Sequence, residues 1–167
     1  MKMELPAGYR LENVRENKTP ELKEQIIQLW RESGAMESRE QAQKRVEQVI
    51  FLVRDEDDRI VAVSTVFRLS NRQLGNRFYY FRCFISEAHR RSHLATNLII
   101  AARDLLNQRF VNGEDTSAIG MLVSVENEIL KKNRNHAIWP HSKFVYIGQN
   151  ERGDHMRVYY FDDARIS

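Results

Sequence analysis

The sequence, 167 residues long, predicts an α/β fold built on a mixed sheet. Three observations carry that reading. Phe78 to Ile85 is an aromatic and apolar run broken only by Arg82, followed by a polar turn and then a long helical pattern. Two β-branched-rich runs, Val49–Val53 and Ile60–Leu69, flank the acidic loop Arg54–Arg59, which is a hairpin signature. A second hairpin pattern, Phe144–Asn150 and His155–Asp162, turns around Glu151-Arg152-Gly153-Asp154. Hairpins joining strand–helix–strand units give a sheet with both parallel and antiparallel pairs.

Taken in order, Tyr9–Arg15 alternates enough for a short first strand. Thr19-Pro20-Glu21 reads as an N-cap with proline at the first helical position. The helix runs to about Ser33 with Leu22, Ile26, Leu29 and Trp30 on one face, and Gly34 ends it. Ser38–Gln48 is a polar second helix, its charges a solvated face. In the acidic loop, Asp55, Glu56, Asp57 and Asp58 lack the glycine and terminal glutamate of a calcium loop and read as a solvated turn. Ser70–Asn76 is a loop.

The run Phe78–Ile85 shows no alternation, which predicts a strand covered on both faces. From Leu94, the series Leu94, Leu98, Ala102, Leu105 and Ala95, Ile99, Ala102, Leu106 mark a helix with one apolar stripe. Val111–Thr116 is a turn, Ile119–Val125 a buried strand and Glu126–Asn133 a helix. Asn135–Lys143 reads as an irregular connector holding Trp139 and Pro140. Residues 1–167 are expected to form one domain, without repeats or linkers.

Composition narrows the class. Hydrophobic content of 42% and charged content of 29% are ordinary for a globular protein. The net charge of +3 does not by itself imply nucleic acid, and no nucleic-acid partner is expected. Between Phe67 and Phe110 every basic residue apart from histidine is an arginine, and the only acids there are Glu87 and Asp104, which suits an anionic ligand. The lone cysteine, Cys83, reads as a small buried hydrophobe and fits a reducing cytoplasm. No apolar run approaches the roughly 20 residues of a membrane span, and the N-terminus lacks the apolar core of a signal peptide. A cytoplasmic protein with no membrane or metal partner is expected.

The turn between the central strand and the long helix is suited to anion binding. Helix first-turn N–H groups have no intrahelical partner, and the dipole adds partial positive charge. Arg90 and Arg91 stand just ahead of that turn.

Arg90-Arg91-Ser92-His93-Leu94-Ala95 resembles the Arg/Gln-x-x-Gly-x-Gly/Ala loop of the GNAT superfamily, the acyl-CoA-dependent N-acetyltransferases, with His93 where the family has its middle glycine. Val123-x-x-x-Asn127 resembles the family's Val-x-x-x-Asn. Phe144 to Gly148 resembles its Gly-Phe-x-x-x-Gly, with Lys143 replacing the first glycine. The order of elements is similar to the family's along nearly the whole chain.

The resemblance implies a mostly antiparallel mixed sheet flanked by about four helices, and an acyl-CoA cofactor, acetyl-CoA or a longer homologue. It implies an unidentified amine acceptor on a small molecule or protein, and leaves a homodimer open. The cofactor-binding residues it implies are Phe84, Ile85, Arg90, Arg91, Ser92, His93, Leu94, Ala95 and Asn127. Backbone N–H groups near Phe84 and Ile85 would face the oxyanion. The family's acidic tyrosine falls on Trp139 by one count and on Arg134 by another, so Tyr80, His136 and His141 are the candidate acid/base residues. His93 is expected in the first helical turn with ordinary helical angles. The alternative from another class is a degenerate member that binds acyl-CoA as a sensor or interaction module.

Overall fold

The computed structural model describes residues 4–90 and 93–167. The chain divides into two compact units. One runs to Val66 and takes in Cys83–Ala102. The other comprises Phe67–Arg82 and Arg103–Ser167. Three elements pass through both: strands β3 (Ile60–Asn71) and β4 (Asn76–Ile85), and helix α3 (Leu94–Val111).

The first unit contains β1 (Arg10–Asn13), α1 (Pro20–Glu32), α2 (Arg39–Val46) and β2 (Val49–Arg54). Helix α1 starts as expected: the Thr19 side chain accepts from the Leu22 N–H at 3.1 Å, and Pro20 occupies the first turn. Gly34, at φ +77°, closes the far end. Ile26, Ile27 and Trp30 are buried, with Leu22 and Leu29 partly so. Ser38 caps α2 through the Gln41 N–H, and only Ala42 and Val46 of that helix are buried. These residues pack with Val14, Met36, Val49, Leu52 and Val63 in one apolar cluster. The acidic loop folds on itself: Asp55 Oδ1 accepts from the N–H groups of Asp57 and Arg59, and Asp58 pairs with Arg10.

The second unit adds β5 (Gly120–Val125), α4 (Glu128–Asn133), β6 (Val145–Gln149) and β7 (His155–Tyr160). Phe78, Leu122 and Val158 form its buried cluster, with Tyr80, Ile119 and Ile147 against it. Gly120 is needed for the β5–β7 pairing, because a Cβ there would lie 2.3 Å from the Tyr159 carbonyl oxygen.

Among the described residues the seven strands follow the order β1-β2-β3-β4-β5-β7-β6. The β4–β5 pair is parallel, and β1–β2, β2–β3, β5–β7 and β6–β7 are antiparallel, so the sheet is mixed and mostly antiparallel. Helix α3 lies between β4 and β5 in sequence, as a parallel pair requires.

The structure corrects two expectations. Strand β4 is covered on both faces only in its first half, where Phe78, Tyr79 and Phe81 are buried. Cys83 is exposed and Phe84 and Ile85 are half-buried. The parallel register with β5 holds Tyr79↔Met121 and Tyr80↔Leu122 and goes no further, although β4 continues to Ile85 and β5 to Val125. On α3, Ala95 is exposed and Leu105 half-buried, while Ile100 and the polar Asn97 are buried. The connector Asn135–Lys143 holds no helix or named strand, as expected. It folds back on β6 through an Ile138↔Val145 bridge and the bonds Trp139 N–H to Phe144 O and Tyr146 N–H to Ala137 O.

Candidate functional site

The junction between β4 and α3 is fixed by short-range bonds. The Ser86 N–H donates to the Val61 carbonyl of β3 at 2.8 Å, and Glu87–His89 form one 3₁₀ turn. Tyr9 Oη and His89 Nδ1 share a hydrogen bond at 2.6 Å, which ties that turn to the residues just before β1. Arg90 Nε donates to the Ile85 carbonyl at 3.1 Å. The guanidinium therefore closes the turn onto the end of β4, while its side chain remains at the surface. Arg91 and Ser92 lie outside the described residues.

His93 has φ +60°, in the left-handed region, not the helical angles expected of it. The helix begins one residue later, at Leu94. The His93 carbonyl accepts from both the backbone N–H and the side-chain Nδ2 of Asn97, at 3.3 and 3.1 Å, so His93 is the residue that turns the chain into α3. A left-handed angle is where glycine is favoured. Histidine in this region bears a side-chain penalty of roughly 1–2 kcal/mol. Lys143 repeats the pattern: it stands where the family has another glycine and has φ +65°.

Leu94 is 1% exposed, so its side chain belongs to the core and only its backbone faces the junction. Ala95 is exposed, and Phe84 and Ile85 are half-buried. Cys83 meets solvent but is closely surrounded by protein, and this desolvation pushes its thiol up to about 11. A thiol with that pKa stays protonated near neutrality and is a poor nucleophile.

The remaining candidates lie in the other unit. Asn127 is the N-cap of α4, its Oδ1 accepting from Ile129 and Leu130 N–H at 2.9 and 3.2 Å. Tyr80 Oη accepts from Asn71 Nδ2 at 3.1 Å and its ring stacks on Phe67 at 5.6 Å. His136 and His141 are exposed on the connector, and the His141 and Ser142 carbonyls accept from Arg103 Nη1. Tyr80 packs with Leu122 and Val158 on one face of the sheet. Strand alternation puts Tyr159 on the other face, where Arg103 and Phe144 lie against it. Tyr80 therefore points away from the connector side, and among the described residues no hydrogen bond joins it to His136 or His141.

Sequence reasoning missed two groups. The Tyr9–His89 pair links residues far apart in the chain and leaves no local pattern. Arg157 is buried in β7 beneath Trp139, within 4.3 Å of its ring centroid. Its signal was an arginine inside the apolar-rich run Met156–Tyr160.

No family model matches the sequence, and no curated protein does. Solved structures do match the fold. A GNAT-family acetyltransferase from Streptococcus pneumoniae aligns over 92% of this chain and 99% of its own, with a TM-score of 0.62 and 10% identity. A ribosomal-protein-S5-alanine acetyltransferase from Vibrio fischeri aligns over 99% of both chains, with a TM-score of 0.60 and 10% identity. A mutant AtaT toxin bound to the C-terminus of the antitoxin AtaR and acetyl-CoA covers 92% of this chain and 94% of its own, with a TM-score of 0.56 and 9% identity. The chain has the fold of GNAT acetyltransferases. Among the described residues, no helix is long and apolar enough to cross a membrane.

Proposed function

We propose that the chain is a GNAT-superfamily N-acyltransferase that uses acetyl-CoA or a longer acyl-CoA and acylates a primary amine. The observation that carries the reading is the β4–α3 junction. In the second half of β4 the pairing with β5 has ended and the cover is only partial, and the chain then enters α3 through a left-handed residue at the family's glycine position. The residues present fit the cofactor. The first-turn N–H groups of α3, at Leu94 and Ala95, are donors of the kind that hold a pyrophosphate. Arg90 adds positive charge beside them at the surface. Phe84 and Ile85 supply backbone groups at the half-buried end of β4 for a pantetheine arm, with the Arg90 bond to the Ile85 carbonyl fixing that end. Arg91, Ser92, His93 and Asn127 complete the proposed set.

When bound, acyl-CoA supplies the activated thioester. The chain's part is then to orient it, to offer a backbone N–H where negative charge develops on the carbonyl oxygen, and to manage protons. His136 and His141, exposed and without a hydrogen-bond partner on their rings among the described residues, are the proposed proton carriers, with Tyr80 the third candidate.

A second reading, an acyl-CoA sensor without turnover, is favoured by one observation. The Tyr80 hydroxyl is already held by Asn71, and no candidate acid/base group is oriented by another. One experiment separates the two: thiol release from acetyl-CoA and longer acyl-CoAs against a panel of amines, with binding measured by calorimetry. Turnover is the expected result. Acyl-CoA binding without thiol release from any amine would select the sensor. Neither binding nor turnover at millimolar acyl-CoA would overturn both.

A further inference from the structure

Arg157 lies between Met156 and Val158 on β7 and is 1% exposed. Its guanidinium is always ionised. Removing such a charge from water costs several kcal/mol unless hydrogen bonds and opposite charge compensate. Compensation here is partial. Nη2 donates to the Arg134 carbonyl, at the C-cap of α4, at 3.2 Å. The rings of Trp139 and Tyr146 lie 4.3 and 5.8 Å from the guanidinium carbon, a cation–π arrangement. Among the described residues no carboxylate pairs with Arg157, and Nε and Nη1 are buried without a hydrogen-bond partner. Two other poorly exposed arginines, by contrast, are supplied with acids: Arg54 pairs with Glu12 at 3.1 Å and Arg103 with Asp104 at 2.9 Å. Burial pushes the Arg157 pKa downward, the direction expected of a cation without a counter-ion.

The place is also distinctive. Arg157 pairs with Val123 on β5, the first residue beyond the parallel register that ends at Leu122, and with Tyr146 on the edge strand β6. The layer over it is one side chain deep. Trp139 is half-buried and Tyr146 is 37% exposed, so the two rings that cover the guanidinium themselves reach the surface.

We propose that Arg157, roofed by Trp139 and Tyr146, anchors a site for a single carboxylate of a small ligand, which takes the unpaired N–H donors of the guanidinium. One positive charge matches one carboxylate. A phosphate, carrying about −1.5 to −2 near neutrality, calls for more donors than this site offers. The aromatic roof favours a ligand whose carboxylate is borne on a flat or apolar body. On the acyl-transfer reading, on which this step rests, the carboxylate belongs to the amine acceptor, making it an amino-acid-like or peptide-terminal amine.

The test uses the full chain at constant ionic strength, titrated with benzoate, acetate, benzamide and inorganic phosphate. Tryptophan fluorescence, to which Trp139 contributes, and thermal midpoint are the readouts. Benzoate is expected to give a saturable change that uncharged benzamide does not, and Arg157→Gln to weaken it at least tenfold. A response to neither carboxylate at millimolar concentration, an equal response to benzamide, a response to phosphate alone, or full binding in Arg157→Gln would overturn the site. Should Arg157→Gln not fold, the benzoate–benzamide comparison in the unaltered protein still decides. The acceptor step is read separately, from KM for amines with and without a carboxylate. A raised KM only for the carboxylate-bearing amine in Arg157→Gln supports it, and no difference overturns it. Carboxylate binding without thiol release from any amine would instead end the acyl-transfer reading and leave the site standing.

Discussion

The two halves of β4 have similar composition and opposite fates. Phe78, Tyr79 and Phe81 are buried on both faces, against the second unit's apolar cluster and, through the Tyr79–Asp115 bond, against the loop before β5. Cys83, Phe84 and Ile85 form an equally apolar run but are exposed or half-buried, beyond the point where pairing with β5 stops. The difference lies in the neighbour, not in the residues. Apolar side chains that line a ligand surface and those that fill a core are chosen by the same physics, removal from water. In the first half protein supplies that cover. In the second half protein supplies only part of it, Phe84 packing on the first unit's cluster, and on the proposed function a ligand covers the rest.

Truncation separates the halves most strongly. Phe78→Ala, at a site with no solvent exposure, should cost about 3–5 kcal/mol in urea unfolding. Cys83→Ala should change stability by less than about 0.5 kcal/mol, as surface substitutions do. Equal losses at the two positions would erase the contrast.

The entry to α3 gives a smaller effect with a definite sign. With φ +60° at His93, His93→Gly should stabilise the fold by about 1 kcal/mol, relief of the left-handed penalty offset in part by chain entropy. His93→Val should destabilise it, since a β-branched residue is a genuine outlier there. A glycine variant less stable than the parent would show that the imidazole itself holds the turn.

Much of this architecture was legible in the sequence because local rules act locally. Thr19 and Ser38 cap their helices as their side-chain chemistry dictates, and Gly34 ends α1. Three features were not legible, each for a physical reason. The uncovering of Cys83 depends on where β5 stops pairing, which no residue of β4 encodes. The left-handed angle at His93 was hidden because Leu94 and Ala95 already fit the helix pattern, and a one-residue offset at a helix start leaves that pattern unchanged. The convergence of Arg134, Trp139, Tyr146 and Arg157 is tertiary, and only the arginine within an apolar strand hinted at it. Of the candidate site, the β4–α3 segment was identified as a contiguous stretch. Tyr80, offered as an alternative to His136 and His141, lies on the opposite face of the sheet from the connector's neighbours, which strand alternation decides and the sequence alone does not.

The exposed thiol supplies the smallest perturbation and the sharpest probe. With its pKa raised to about 11 by surrounding protein, Cys83 should alkylate slowly near neutrality. The rate should climb about tenfold per pH unit through the range below that pKa, because only the thiolate reacts. A rate that levels off near the ordinary thiol pKa of about 8.5 would show that the neighbouring protein does not desolvate the thiol. The central claim is that acyl-CoA lies along the second half of β4, and the most direct measurement is the alkylation rate of Cys83, the chain's single cysteine, with and without saturating acetyl-CoA at fixed pH. The account predicts that acetyl-CoA slows the reaction at least tenfold. An unchanged rate under the same conditions would contradict it.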